Sequence, residues 1–282
     1  MPDLKTIAQG TSSKKKKLRA HVRESSETTS EDVFFISLGR KGYSLSMKRK
    51  HINKFGPSFF GYIAHRGYHT DEATENGLKA FQNAIDRNIP FEFDIHITKD
   101  KKLVVCHDSE LERTTGKKGI IEDLTFDEIR KGYRLHDGGV VPSLEEVLAL
   151  NGERELMVIE LKVYRKNYKE LAKAVLPYLR KIKDKKKVVL ISFDPRVLWR
   201  VKKSKIATSL LLTVEYFWVW HFRFLFDSID IDKRIVSLPC VCRHRKRHVV
   251  NVWTLESKKD FDSVKGYADA FTCQLFEPSE IK

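Results

Sequence analysis

Two ionisable pairs set in strand-like sequence are the first features that chemistry could use: Glu92 and Asp94 within FEFDIHI, and His107 with Asp108 after KLVVC. With the two-residue period of a strand, Phe91, Phe93, Ile95 and Ile97 share one face and Glu92, Asp94 and His96 the other. A strand covered on both sides should read as an unbroken apolar run, because unpaired buried charge is costly. Side-by-side carboxylates are therefore expected to share a cation. His65 and Arg66 close an earlier strand, IAHRG, while Glu160 and Lys162 close VIELK on the face opposite Ile159 and Leu161. Three oxygen ligands, Glu92, Asp94 and Glu160, suit a hard divalent cation, Ca²⁺ or Mg²⁺. His65 and His107 form a candidate acid/base pair, and Arg66 and Lys162 candidate anion clamps. One inward carboxylate could simply pair with a neighbouring Lys or Arg; a whole set at strand ends is harder to explain that way. Asp108 follows the other phase and reads as an orienter or turn cap; His69, His96 and His136 read as loop or packing residues.

The elements that must position these groups alternate from about residue 60. Strand GYIAHRG is followed by helix ENGLKAFQNAIDRN, with Leu78, Phe81 and Ile85 on its apolar face, then by strands PFEFDIHIT and KLVVCHD. A polar stretch at 109–140 holds the short helix TFDEIRKG, capped by Thr125. Helix SLEEVLAL opens with a capping box, Ser143 and Glu146. The rest runs LMVIELK, helix YKELAKAVLPYLRKI, KVVLISF, helix PRVLWRVKK, TSLLLT, the aromatic EYFWVWHFRFLF, strand RIVSLP, strand HVVNVWT, helix SKKDFDSVKGY and strand ADAFTCQ. Such alternation implies a parallel sheet with right-handed crossovers. Eight or nine strands fit an α/β fold of the closed (β/α)8 TIM-barrel type, with a small insertion at 109–140 after the third strand. In such barrels the C-terminal strand ends carry the site, which is where these residues fall. No glycine-rich dinucleotide or P-loop fingerprint is present.

The 282 residues are 41% hydrophobic with mean hydropathy −0.41, and no run approaches the roughly 18 apolar residues of a spanning helix. The formal charge is +15; residues 1–60 hold 13 Lys/Arg against 5 Asp/Glu, so over half the excess sits there. That balance suits anionic partners, and no aromatic–basic recognition motif points to nucleic acid. Residues 1–46 read as a disordered basic N-terminal extension, Met47 as an alternative start, and 58–282 as the barrel domain. Cys106, Cys240, Cys242 and Cys273 form no CxxC pair, so free thiols in a reducing cytoplasm are expected. Residues 215–226 carry seven aromatics in twelve positions. An outer helix would pack Phe217, Trp220 and Phe224 inward, leaving Trp218, Phe222 and Phe226, with Arg223, for acyl chains or a peripheral membrane contact.

IAHRG, TENGLKAF, FEFDIHITKDKKLVVCHDSELERTTG, VPSLEEVL, VIELK and NVWTLES, in this order, resemble the glycerophosphodiester phosphodiesterase family from about residue 60 to 277. The resemblance implies a TIM barrel in which His65 is the general base, His107 the general acid, Glu92, Asp94 and Glu160 hold Ca²⁺ or Mg²⁺, and Arg66, Lys162 and Trp253 contact the substrate. It implies hydrolysis of a small-molecule glycerophosphodiester to glycerol 3-phosphate and an alcohol. A lysophospholipase D or sphingomyelinase D-like enzyme on the same barrel, and a non-catalytic anion-binding barrel, are the alternative readings.

Overall fold

A computed structural model describes residues 49–281; the extension expected over 1–46 lies outside the described residues. Nine strands appear among them: β1 (Tyr62–Ala64), β2 (Phe91–Ile97), β3 (Leu103–Val105), β4 (Met157–Leu161), β5 (Val188–Ser192), β6 (Ala207–Leu212), β7 (Ser228–Asp232), β8 (Val249–Leu255) and β9 (Ala270–Cys273). Eight of these run parallel in the order β1-β2-β4-β5-β6-β7-β8-β9, and β9 pairs back onto β1, closing the barrel. The helices are α1 (Leu78–Asp86), α2 (Glu112–Thr115), α3 (Phe126–Gly132), α4 (Leu144–Asn151), α5 (Tyr168–Lys181), α6 (Pro195–Val201), α7 (Pro239–Arg245) and α8 (Lys258–Val264).

Alternation divides the apolar residues into two cores. Phe91, Phe93 and Ile95 of β2 point outward and pack with Phe81 and Ile85 of α1. Ile63, Val158, Val189, Ala207 and Val249 fill the barrel interior, and Phe55 and Phe59, preceding β1, pack into the same cluster and cap it. The expected capping box of Ser143 and Glu146 forms, and the expected Thr125 cap is itself a box with Glu128: each hydroxyl accepts from the glutamate backbone N–H, and each glutamate carboxylate accepts from the cap residue's own N–H. Such a cap contributes about 1 kcal/mol.

Three expectations need correction. β3 is antiparallel to β2, with Ile95 opposite Val105 and Ile97 opposite Leu103, so it is a hairpin arm and no part of the parallel barrel. The five residues between β2 and β3 turn the chain back at once, whereas a parallel return needs a crossover of about a dozen. His107 follows this arm; it does not end a barrel strand. The strand expected at RIVSLP lies earlier, at SIDID (β7), and residues 233–238 form a turn leading into α7. The inward face of β7 is polar, Ser228 and Asp230, which disguises it as a loop. The aromatic segment Phe217–Leu225 is a 3-10 helix, so its faces repeat every three residues rather than 3.6. Val219 and Trp220 are buried with Phe226, while Phe224 is 61% exposed, opposite to the helical-spacing expectation for Phe224 and Phe226. Residues of 109–140 and the flanking Val104, Cys106 and Val141 build a small separate core around Leu111, Ile121 and Ile129.

Candidate active site

His65 leaves β1 at a sharp turn in which Arg66 and Gly67 both adopt positive φ, 55° and 81°. Gly67 is required on spatial grounds as well, since a Cβ there would lie 3.0 Å from the Ala80 carbonyl carbon. The turn aims the Arg66 N–H at Glu92 Oε2, 3.0 Å away. Glu92 and Asp94 stand on the inward face of β2, and Glu160 lies directly beside Asp94 on β4. One oxygen from each of the three lies within 4.8 Å of the others.

Cations and amides surround this acidic cluster. Lys162 Nζ sits 3.0 Å from Asp94 Oδ1 and 2.9 Å from Glu160 Oε2. Arg66 Nε is 3.8 Å from Asp94, and Asn76 Nδ2 donates to Asp94 Oδ2 at 2.9 Å. Burial pushes the Glu92 carboxyl well above the usual range, and the neighbouring Asp94 and Glu160 add to it. Burial likewise lifts Glu160 to about 7 against the pull of Lys162. Burial also works against Asp94, but Lys162, His107 and Arg66 outweigh it and hold that carboxyl below the ordinary range. Three buried carboxylates that repel one another, all oxygen donors, fit a hard divalent cation and offer nothing to a thiolate-preferring one.

The two histidines are backed differently. Gln274 donates its amide to Glu256 at 3.0 Å, so its oxygen faces His65 Nδ1, 2.6 Å away. Nδ1 is then the donor and Nε2 the free acceptor. Burial, with Arg66 nearby, depresses His65 to about 3. His107 Nδ1 lies 2.7 Å from the Asp108 carboxylate, which Arg113 fixes from its other side at 2.5 Å. Burial lowers His107 too, but Asp94 and Asp108 oppose that shift. Both rings line one cavity of about 140 Å³ with Arg66, Glu92, Glu160, Lys162 and Trp253. Every candidate site residue except Asp94, which lies just beneath, therefore borders a single space.

Sequence reasoning passed over several contributors. His96, assigned to packing, bridges Glu122 Oε1 at 2.7 Å and the His107 carbonyl at 3.1 Å, fixing the backbone beneath the second histidine. Glu75 ties Arg66 to Arg113, at 2.8 and 2.7 Å. Asp230 lines the cavity, receives a hydrogen bond from Asn251, and is lifted by burial to about 7. Its misplaced strand hid it. Asn251 Oδ1 and Ser228 Oγ in this buried polar floor have no hydrogen-bond partner among the described residues, so it is suited to polar guests such as water. The inner cavity meets an outer groove of about 780 Å³, bordered by His107 and Lys162 at one end and by Tyr216, Trp218 and Phe222 at the other.

The chain is similar to known proteins in both sequence and fold. A family model described as the glycerophosphoryl diester phosphodiesterase family matches residues 65–230. A glycerophosphodiester phosphodiesterase of Caldanaerobacter subterraneus subsp. tengcongensis is 28% identical over 213 residues, 71% of this chain and 87% of that protein. The crystal structure of a glycerophosphodiester phosphodiesterase from Thermotoga maritima superposes with a TM-score of 0.64 at 27% identity, covering 76% of this chain and 94% of the other. A shorter match, 42% identity over 69 residues, links 24% of the chain to 22% of a lysophospholipase D from Rattus norvegicus.

Proposed function

The chain belongs to the glycerophosphoryl diester phosphodiesterase family and is a phosphoric diester hydrolase; from that premise we propose that it hydrolyses soluble glycerophosphodiesters to glycerol 3-phosphate and an alcohol. The observation that carries this reading is the pairing of two differently backed histidines beside three clustered carboxylates in one small cavity.

In this reading Glu92, Asp94 and Glu160 hold Ca²⁺ or Mg²⁺, which would supply positive charge to the phosphoryl oxygens and relieve the carboxylates' mutual repulsion. Arg66 and Lys162 add fixed cationic charge to bind and orient the phosphate, and the Trp253 indole walls the substrate space. His65, neutral with a free Nε2, takes the proton from the glycerol hydroxyl adjacent to the phosphate as that oxygen attacks phosphorus. His107, whose carboxylate partner favours its protonated form, delivers a proton to the departing alcohol oxygen. The roles then reverse: His107 accepts a proton from water as water opens the cyclic phosphate, and His65 returns its proton to the glycerol oxygen. Both imidazoles end as they began. Four free thiols suit action in a reducing compartment such as the cytoplasm.

A second reading, a lysophospholipase D, is favoured by one observation, the aromatic outer groove that offers room for an acyl tail. Turnover of glycerophosphocholine and of lysophosphatidylcholine, with product identification, separates the two. Glycerol 3-phosphate and choline from the first substrate are expected. Turnover of the lysolipid alone would replace the first reading with the second.

A further inference from the structure

One face of the molecule is unused by the hydrolytic chemistry. Trp199 on α6 is 59% exposed, and Tyr216, Trp218 and Phe224 are 51%, 64% and 61% exposed. Trp199, Phe222 and Leu225 line one shallow hollow with Pro195 and Arg196. Phe222, Pro195 and Arg196 continue from it into the groove that holds Tyr216 and Trp218 and ends at His107. The apolar surface is thus continuous with the mouth of the site, and contiguous exposed patches of this kind mark interaction surfaces.

Its charge not already paired within the chain is of one sign. Lys202 Nζ lies 5.1 Å above the Trp199 ring, Arg200 leans on Tyr168 at 5.5 Å, and the Arg223 guanidinium stacks against Phe224 at 3.8 Å. None of these three, nor Lys166 at the groove edge, meets a carboxylate among the described residues. The acidic groups nearby are already engaged, Asp194 by Arg196 at 2.6 Å and Glu215 by Arg234 at 3.4 Å.

We propose that this face docks on an anionic phospholipid bilayer, with the groove mouth turned toward the lipid. Indole and phenol rings, apolar in body with one polar tip, favour the headgroup boundary. Unpaired Lys and Arg beside an anionic surface each raise partitioning about fivefold. A second copy of the chain suits the face less well, since a two-fold contact would set like charges against each other. The proposal takes from the hydrolase reading only the purpose of docking; binding itself needs no turnover.

The test is co-sedimentation of the full chain with vesicles of phosphatidylcholine alone or mixed with phosphatidylserine. It is run alongside turnover of dissolved glycerophosphocholine and sedimentation velocity without lipid. The wild type is expected to pellet with the mixed vesicles and stay in solution with phosphatidylcholine. Trp199→Ser/Leu225→Ser is expected to lose about tenfold in binding, and Arg200→Glu/Lys202→Glu at least as much. Both should retain turnover of the dissolved substrate within about twofold. A wild type that remains in the supernatant, variants that bind as it does, or a wild-type dimer that the Trp199→Ser/Leu225→Ser change dissolves would each overturn the proposal. Absence of turnover in the wild type would instead count against the hydrolase reading.

Discussion

At the scale of single residues, the difference between His65 and His107 lies in what stands behind each ring. A neutral amide fixes His65 and a carboxylate fixes His107, and divergent environments are how two like groups take opposite proton-transfer roles. His65→Ala and His107→Ala are each expected to lower kcat about 10²-fold or more with the fold retained, since lost acid/base catalysis is of that size. Near-normal turnover with an unshifted melting temperature in either variant would remove that histidine from the mechanism. Asp108→Asn should reduce kcat about tenfold, leave KM nearly unchanged, and lower the pKa of the acid seen in the pH–rate profile, because the imidazolium loses its counter-charge. A loss confined to KM would assign Asp108 to substrate binding instead. The carboxylates and histidines were legible in the sequence because charge on the inward phase of a buried strand contradicts the burial rule. Asn76, His96 and Gln274 were not, since each acts through a contact between residues distant in sequence that no local pattern records.

At the scale of elements, the errors share a cause. β7 is hard to read because its inward face is Ser228 and Asp230, so SIDID lacks the near-continuous apolar run of a strand buried on both sides; it is buried because it completes the barrel wall, a property of the whole sheet. The 3-10 segment was given a helical period that its aromatics do not follow. Its anchor is a stack: the His244 and His248 rings lie nearly parallel with centroids 4.1 Å apart, with Trp220 and Phe224 against His244. Burial, and then His248 and Arg223, lower His244 from 6.5 to about 3. The unfolded chain therefore binds a proton there that the native state refuses. Its contribution to stability is complete above pH 6.5 and is lost as pH falls from 6.5 toward 3. Thermal unfolding across that window should show a falling melting temperature, with a shallower slope in His244→Phe. An identical slope in the variant would show that another group sets the acid lability.

At the scale of the molecule, alternating strands and helices made a parallel sheet legible, and the count of eight or nine strands with no glycine-rich nucleotide fingerprint favoured a closed barrel over an open doubly wound sheet. The antiparallel β3 was not legible by periodicity alone, because parallel and antiparallel strands share the same alternation. Nor was the cap of Phe55 and Phe59 over the barrel interior, where Phe59 is fully buried. Phe59→Ala is expected to cost about 3–5 kcal/mol in denaturant unfolding; a cost below about 1 kcal/mol would mean that the barrel base is sealed without it. Above this cap the barrel crowds three buried carboxylates, Glu92, Asp94 and Glu160, whose repulsion is the ground for the proposed cation. The most direct measurement is release of glycerol 3-phosphate from glycerophosphocholine by protein stripped with chelator, before and after Ca²⁺ or Mg²⁺ is restored, with Glu92→Gln in parallel. The expected result is no turnover in the stripped protein, full recovery of the wild type on adding back one of the two ions, and little recovery of the variant. Undiminished turnover by the stripped, metal-free protein would contradict the account.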